Sequence, residues 1–137
     1  MSLIAAEKSG LNLNKILNVL PSLKPIEGRF EKIGMIKNKS KVILDYAHTP
    51  DALKTCLLNL KEQFPDKKII SLFGCGGNRD QNKRSKMGNI ADIFSDEIYL
   101  TDDNPRFESS HKIRKDIRTG IKKTKVIEIS GRGKAIA

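Results

Sequence analysis

Residues 69–80 read Ile-Ile-Ser-Leu-Phe-Gly-Cys-Gly-Gly-Asn-Arg-Asp, and this segment gives the clearest indication of the fold. Its first five residues form a short apolar run, which is typical of a buried strand. The glycines that follow permit positive φ angles and close approach of the backbone, so they predict a tight turn. Beyond Ser85, apolar residues recur at the spacing of one helix face: Met87, Ile90, Ala91 and Phe94. The stretch therefore predicts a strand, a glycine-rich turn and a helix.

The same alternation extends to both sides of this stretch. Short apolar runs at residues 42–44, 98–100 and 126–129 predict three more strands. Thr49 with Pro50 is typical of a helix start, and so is Ser109 or Ser110; Gly131 precedes one more helix. In the helix that begins at Thr49, the apolar residues on one face are Leu53, Leu57, Leu60 and Phe64. In the helix that begins at Ser109 or Ser110, they are Ile113, Ile117 and Ile121. Strands that alternate with helices predict an α/β fold, with a Rossmann-like, mostly parallel sheet and helices on both faces.

Residues 1–27 differ from this pattern. Leu13, Ile16, Leu17 and Leu20 give one apolar helix face, and Pro21 and Pro25 are expected to end that helix. We interpret residues 1–27 as the tail of another unit followed by a linker, and residues 28–137 as the main domain. The sheet would need another strand to complete its core, so we expect this domain to be incomplete at its C-terminus.

Composition narrows the class of protein. The chain has 137 residues and a net charge of +10. Its apolar runs are far shorter than the ~20 residues of a membrane span, and no secretory signal is recognisable. Cys56 and Cys75 show no disulfide or zinc spacing, which favours a reducing, cytoplasmic setting. The charge fits either nucleic acid or a smaller anion such as ATP, and the absence of Trp disfavours a base-stacking surface.

In an open parallel sheet, ligands bind at the carboxyl ends of the strands. That rule selects the loops at residues 45–50, 74–86 and 101–106. In the first loop, Asp45 could accept hydrogen bonds from ribose hydroxyls, and His48 lies beside a helix N-terminus that favours anions. Alternatively, Asp45 and Thr49 only hold the turn together.

The other two loops carry charge but no G-x-x-x-x-G-K-[ST] phosphate-binding motif. Pro105 restricts its own backbone and that of Asn104. Asp103 could accept from an ammonium group, and Arg106 could hold a carboxylate with two hydrogen bonds. These loops could therefore bind an amino acid, or they could be an ordinary exposed turn, with Arg79 paired to Asp80 or Asp103.

Taken in order, the loop sequences are more specific than any one of them. Asp-Tyr-Ala-His-Thr-Pro-Asp (45–51), Phe-Gly-Cys-Gly-Gly-Asn-Arg-Asp (73–80), Lys-Arg-Ser-Lys-Met-Gly (83–88) and Thr-Asp-Asp-Asn-Pro-Arg (101–106) resemble the Mur ligase family. Residues 28–31, at the start of the main domain, and residues 131–136, at a later junction of strand and helix, resemble the same family. The resemblance implies the C-terminal domain of an ATP-dependent amide ligase that adds meso-diaminopimelate to a UDP-linked muramoyl dipeptide in peptidoglycan synthesis. In that family Asp-Asn-Pro-Arg marks the members that add meso-diaminopimelate.

The resemblance also implies roles for individual residues. Nucleotide contacts carry over to Arg29, Asp45, Tyr46 and His48. Contacts with meso-diaminopimelate carry over to Arg79, Asp103, Asn104, Pro105 and Arg106. The family uses ATP and Mg²⁺, with the phosphates and the metal held mainly by a central domain that these residues do not include. We therefore expect no catalytic residue in this segment and no activity from it alone.

The chain departs from the family pattern in two places, and two other functions are alternatives to the one that the resemblance implies. Asn78 stands where an Asp is common in the family, and the chain stops at Ala137, before the further diaminopimelate contacts of that family. A related ligase that adds lysine, or one that makes folylpolyglutamate, is an alternative, although Arg106 disfavours lysine. A non-catalytic basic module that binds nucleotides or RNA is the other.

Overall fold

The structure is a computed structural model that describes residues 2–23, 26–36 and 39–137. Its helices are α1 (Ser2–Lys8), α2 (Leu13–Val19), α3 (Pro50–Gln63), α4 (Asn82–Phe94), α5 (Ser110–Arg118) and α6 (Arg132–Ile136). Its strands are β1 (Glu31–Met35), β2 (Lys41–Leu44), β3 (Ile70–Phe73), β4 (Glu97–Thr101) and β5 (Lys125–Ile129). The chain forms two compact units, Met1–Tyr46 and Ala47–Ala137. The boundary predicted between residues 27 and 28 stays a prediction.

The first unit contains α1, α2 and an antiparallel hairpin of β1 and β2. Asn12 begins α2 by accepting hydrogen bonds from the backbone of Asn14 and Lys15. After α2 a short 3₁₀ helix, Leu20–Ser22, includes Pro21. Pro25, the other residue expected to end this helix, lies outside the described residues. The predicted helix is therefore confirmed, with its end at Val19.

The pairing of β2 corrects one expectation. We expected residues 42–44 to join the mostly parallel sheet, but β2 pairs antiparallel with β1, a strand that the sequence pattern did not predict. Lys32 and Gly34 interrupt the apolar run of β1, and the register shifts between them. Only residues 36–40 connect the two strands, and parallel pairing needs a connection of about a dozen residues or more.

The second unit holds a three-stranded parallel sheet in the order β3-β4-β5, flanked by helices. This confirms the α/β class. The register runs from Ile70 opposite Glu97 to Thr101 opposite Ile129, so the carboxyl ends of all three strands lie at one edge. Thr49 caps α3 by accepting from Ala52 N at 3.3 Å, and Ser109 caps α5.

The core of the second unit combines the helix faces that the spacing predicts with side chains from the strands and Cys75; the predicted face residue Phe64 is not part of it. Its buried apolar residues are Leu53, Leu57, Ile69, Cys75, Met87, Ala91, Ile98, Leu100, Ile113, Ile117 and Ile121. Helix α4 begins three residues before the predicted Ser85. Its Gly88 packs so closely on α5 that a Cβ there would lie 2.1 Å from the Ile117 carbonyl oxygen. The helix contact therefore requires glycine.

Candidate functional site

The loops after β3 and β4 are joined into one structure at the carboxyl edge of the sheet. Gly77 N donates to the carbonyl of Asn104 at 2.8 Å. In return, Arg106 Nη1 donates to the carbonyl of Gly77 at 2.7 Å. Phe107 N donates to Asn78 Oδ1 at 3.0 Å. The glycine-rich loop and the Asp-Asn-Pro-Arg loop therefore hold each other in register.

Close approach explains why the first of these loops is rich in glycine. A Cβ on Gly77 would lie 1.8 Å from the Pro105 carbonyl oxygen, which leaves no space for any side chain. Asn78 and Arg106 have positive φ angles of 49° and 52°, which non-glycine residues adopt uncommonly. Asn104 Oδ1 supports the backbone conformation of Arg106 by accepting from Arg106 N at 3.1 Å.

A buried arginine underlies the joined loops. The side chain of Arg84, on α4, is 0% exposed. It contacts Glu108 at 2.9 Å through Nη2 and Asp116 at 2.8 Å through Nη1. The hydrogen bond to Glu108 is the main cause of the raised pKa of Arg84, and in turn Arg84 is the main cause of the lowered pKa of Glu108.

Asp102 connects the β4 loop to the segment that follows β5. It accepts from Gly131 N at 2.7 Å and from Ser130 Oγ at 3.0 Å, and it pairs with Arg114. Burial alone would raise the pKa of Asp102, but these hydrogen bonds and the arginine charge lower it. Next to it, Asp103 faces Arg132 of α6 at 3.6 Å. All three strand ends therefore contribute to this edge.

The residues predicted to contact the amino acid all belong to this edge. Asn104 and Pro105 form the turn, with Pro105 half-buried, and Arg106 lies against Gly77. Arg79 is exposed, and no ion pair to it is found within the described ranges. The partners considered for Arg79 have other contacts, because Asp80 accepts from Asn82 N and Asp103 faces Arg132.

The residues predicted to contact the nucleotide fall in both units. In the first unit, the Arg29 guanidinium lies 5.1 Å from the centre of the Tyr46 ring, and Asp45 Oδ2 accepts from Phe30 N at 2.8 Å. Asp45 therefore holds the segment before β1 and not the turn that follows it, and its contact with ribose stays a prediction. His48 belongs to the second unit, where its carbonyl accepts from Lys83 Nζ at 2.7 Å just before α3.

Three residues of the edge were not predicted from the sequence: Arg84, Glu108 and Asp102. In the sequence, Arg84 stood out only as part of the Lys-Arg-Ser-Lys-Met-Gly motif. Its position three residues before Met87 and seven before Ala91 places it on the buried face of α4, and that spacing was the available signal. Glu108 carried no comparable signal, because its partners lie 24 and 30 residues away in the chain.

Within the part of the chain that the structure describes, no three His, Cys, Asp or Glu side chains form a group that could hold a metal ion. No described helix is long and apolar enough to cross a membrane.

Comparison with known proteins agrees with this architecture. A family profile described as "Mur ligase, glutamate ligase domain" matches residues 28–137. Among solved structures, one titled "Structure of UDP-N-acetylmuramoyl-L-alanyl-D-glutamate--2,6-diaminopimelate ligase" superposes with a TM-score of 0.72 at 38% identity. That match covers 98% of this chain and 27% of the other.

Curated relatives carry the same name. The UDP-N-acetylmuramoyl-L-alanyl-D-glutamate--2,6-diaminopimelate ligase of Rickettsia felis is 45% identical over 128 residues, which is 93% of this chain and 23% of the relative. The ligase of that name from Buchnera aphidicola subsp. Schizaphis graminum is 49% identical over 126 residues, 91% of this chain and 25% of the relative. The chain thus spans about a quarter of the length of the relatives it matches. It belongs to the Mur ligase family, and residues 28–137 are its glutamate ligase domain.

Proposed function

We propose that this chain is the glutamate ligase domain of an ATP-dependent ligase that adds meso-diaminopimelate to UDP-N-acetylmuramoyl-L-alanyl-D-glutamate. The names of the relatives support the reaction. The observation that carries the assignment to this edge is the joining of the β3 and β4 loops, in which Arg106 contacts Gly77, two residues before Arg79.

The reaction implied by the family has two steps. The γ-phosphoryl group of ATP passes to the side-chain carboxylate of D-glutamate, and ADP leaves. The amine of the incoming amino acid then attacks the carbonyl carbon of the acyl phosphate, and inorganic phosphate departs with the amide formed. We assign this domain the binding of the incoming amino acid and part of the nucleotide. We expect the reaction to take place in the cytoplasm, where ATP is available.

In this proposal Arg79 and Arg106 bind the carboxylate that distinguishes diaminopimelate from lysine. A guanidinium matches a carboxylate with two parallel hydrogen bonds. Asp103 would receive an ammonium group of the amino acid, in competition with Arg132. Asn104 and Pro105 would bind through the turn that they form, which also fixes the backbone of Arg106.

For the nucleotide, we propose that Arg29 and Tyr46 offer a cation and an aromatic ring on one surface of the first unit. Asp45 would bind ribose in addition to capping Phe30 N. The role of His48 rests on the family resemblance alone. Mg²⁺ belongs to the family's reaction, but no group of His, Cys, Asp or Glu side chains among the described residues fits this ion.

The test is amino-acid choice by a complete ligase that contains this chain. Formation of the muramoyl tripeptide would be followed with ATP, the muramoyl dipeptide, and either meso-diaminopimelate or L-lysine. Because a site built for a polar group rejects an analogue that lacks it, kcat/KM should favour diaminopimelate by roughly 10⁴-fold. Equal use of the two amino acids would contradict the proposal.

A further inference from the structure

The buried arginine beneath the site lies where helix α4 meets both loops. Besides its contacts with Glu108 and Asp116, Arg84 Nη2 lies 3.5 Å from the carbonyl oxygen of Gly76. One fully buried guanidinium therefore contacts the glycine-rich loop directly and the Asp-Asn-Pro-Arg loop through the carboxylate at its end.

Glu108 makes the second half of this connection. Its Oε1 atom accepts from Asn78 N, the backbone next to Arg79, and from Arg84. Its own backbone N–H donates to the carbonyl of Pro105, the residue just before Arg106, at 2.9 Å. Glu108 is thus hydrogen-bonded to the neighbours of both exposed arginines at the edge.

Stability alone is a weak reason for such an arrangement. A buried arginine with carboxylate partners gains little over well-packed apolar side chains, since burying the charges costs about as much as their attraction returns. Here, Arg84 Nε and Glu108 Oε2 are also buried without a hydrogen-bond partner among the described residues. What the arrangement does supply is a fixed geometry, because planar guanidinium and carboxylate groups set direction as well as distance.

We propose that Arg84 and Glu108 are positioning residues for amino-acid specificity, which set the orientation of Arg79 relative to Arg106 and so the fit to a second carboxylate. This inference rests on the proposed function of the edge. Neither residue touches the amino acid, and both act through the backbone of residues 76–78 and 105–108.

The structure offers a matched control in Asp116. It contacts the same guanidinium as Glu108, at 2.8 Å, and its other contact among the described residues is with Thr119, outside both loops. Glu108→Gln and Asp116→Asn each replace one carboxylate partner of Arg84 with a neutral amide. Only the first also weakens the acceptor of Asn78 N and puts an NH₂ group at the buried Oε2 position, which has no hydrogen-bond partner among the described residues, so only the first should disturb the loops. Arg84→Lys keeps the charge but cannot reach both carboxylates and Gly76 with a planar fork.

The experiment measures KM for meso-diaminopimelate, KM for ATP and the diaminopimelate-over-lysine ratio of kcat/KM in the complete ligase. Glu108→Gln should raise KM for meso-diaminopimelate and lower the diaminopimelate-over-lysine ratio of kcat/KM by about tenfold to a hundredfold, the scale of a misplaced binding group. KM for ATP should change by less than about twofold. Arg84→Lys should behave like Glu108→Gln, and Asp116→Asn should lower the thermal midpoint while the ratio is kept.

If Glu108→Gln and Asp116→Asn both lower only the thermal midpoint, or if they change the ratio equally, the positioning role is wrong. This test rests on the Glu108 and Asp116 variants, so it holds even if Arg84→Lys fails to fold. Arg106→Ala, measured alongside, separates the proposed pocket from its positioning by Arg84 and Glu108. An unchanged ratio in Arg106→Ala refutes the proposed pocket itself, whereas a changed ratio there with an unchanged one in Glu108→Gln refutes only the positioning role.

Discussion

Arg106 has both a local partner and capacity for a ligand. A guanidinium carries five N–H donors, and the Gly77 carbonyl uses Nη1. The side chain is exposed at the sheet edge, so its remaining donors face solvent or a ligand. The contact with Gly77 fixes the direction of the group in advance, which lowers the entropic cost of binding a carboxylate.

At the nucleotide end, Arg29→Ala and Asp45→Ala should each weaken ATP binding in the complete ligase. The expected loss is about 1–3 kcal/mol, the scale of a hydrogen bond to a charged group. Asp45→Asn keeps an oxygen that can accept from Phe30 N, so it separates the loss of this hydrogen bond from the loss of the charge. An unchanged apparent ATP affinity in both alanine variants would remove these residues from the nucleotide site.

Among the elements, the two joined loops depend on the absence of a side chain at Gly77. Gly77→Ala places a methyl group 1.8 Å from the Pro105 oxygen, so the loops must separate. We expect a lower thermal midpoint and a KM for diaminopimelate raised by about tenfold or more, because the binding groups move apart.

Gly133→Ala is the matched control for that variant. Gly133 lies within α6 and a Cβ there meets nothing within 4 Å, so alanine should stabilise the helix by roughly 0.5–1 kcal/mol. Equal effects of the two substitutions would show that crowding at Gly77 is not what matters.

The turn between α5 and β5 should make the stability of the second unit depend on acid. Asp92 accepts from the backbone N–H groups of Lys122, Lys123 and Thr124. Burial acts to raise its pKa, but these hydrogen bonds dominate and lower it from 3.8 to about 2. The carboxylate therefore stabilises the fold above pH ~4, and this contribution, about 2 kcal/mol, is lost as the pH falls toward 2.

Urea unfolding of wild type and Asp92→Asn at several pH values would check this. The variant should be less stable than wild type near neutral pH, and the difference should shrink between pH 4 and pH 2. A difference that stays constant over that range would contradict a role for the charge of Asp92.

For the whole molecule, local patterns predicted elements better than pairings. The spacing of Leu53 and Leu57, or of Ile113 and Ile117, predicted buried helix faces, because those periodicities come directly from helix geometry. The pairing of β2 was predicted wrongly, since an apolar run does not reveal its partner strand. The shortness of the link at residues 36–40 was the physical clue.

The site shows the same division. The loops after β3 and β4 followed from the topology of the parallel sheet, as Arg106 and Gly77 illustrate. The loop at residues 45–50, predicted at the same edge, follows β2, which pairs only with β1 among the described strands, so that placement was wrong. The charges beneath the β3 and β4 loops did not follow from the topology, because Arg84 and Glu108 meet through the fold and the sequence shows no pattern that joins them. Basic residues such as Arg84 look like solvated surface unless their helix face is traced.

If this edge of the domain recognises the second carboxylate of meso-diaminopimelate, substitution of Arg106 should change the choice of amino acid. In the complete ligase, kcat/KM would be measured with meso-diaminopimelate and with L-lysine for wild type, Arg106→Ala and Arg106→Lys. We expect the preference for diaminopimelate to fall by at least about a hundredfold in Arg106→Ala and to be only partly kept in Arg106→Lys, while KM for ATP changes little. An unaltered preference in Arg106→Ala would contradict this role and leave Arg106 as the residue that holds the Gly77 carbonyl and nothing more.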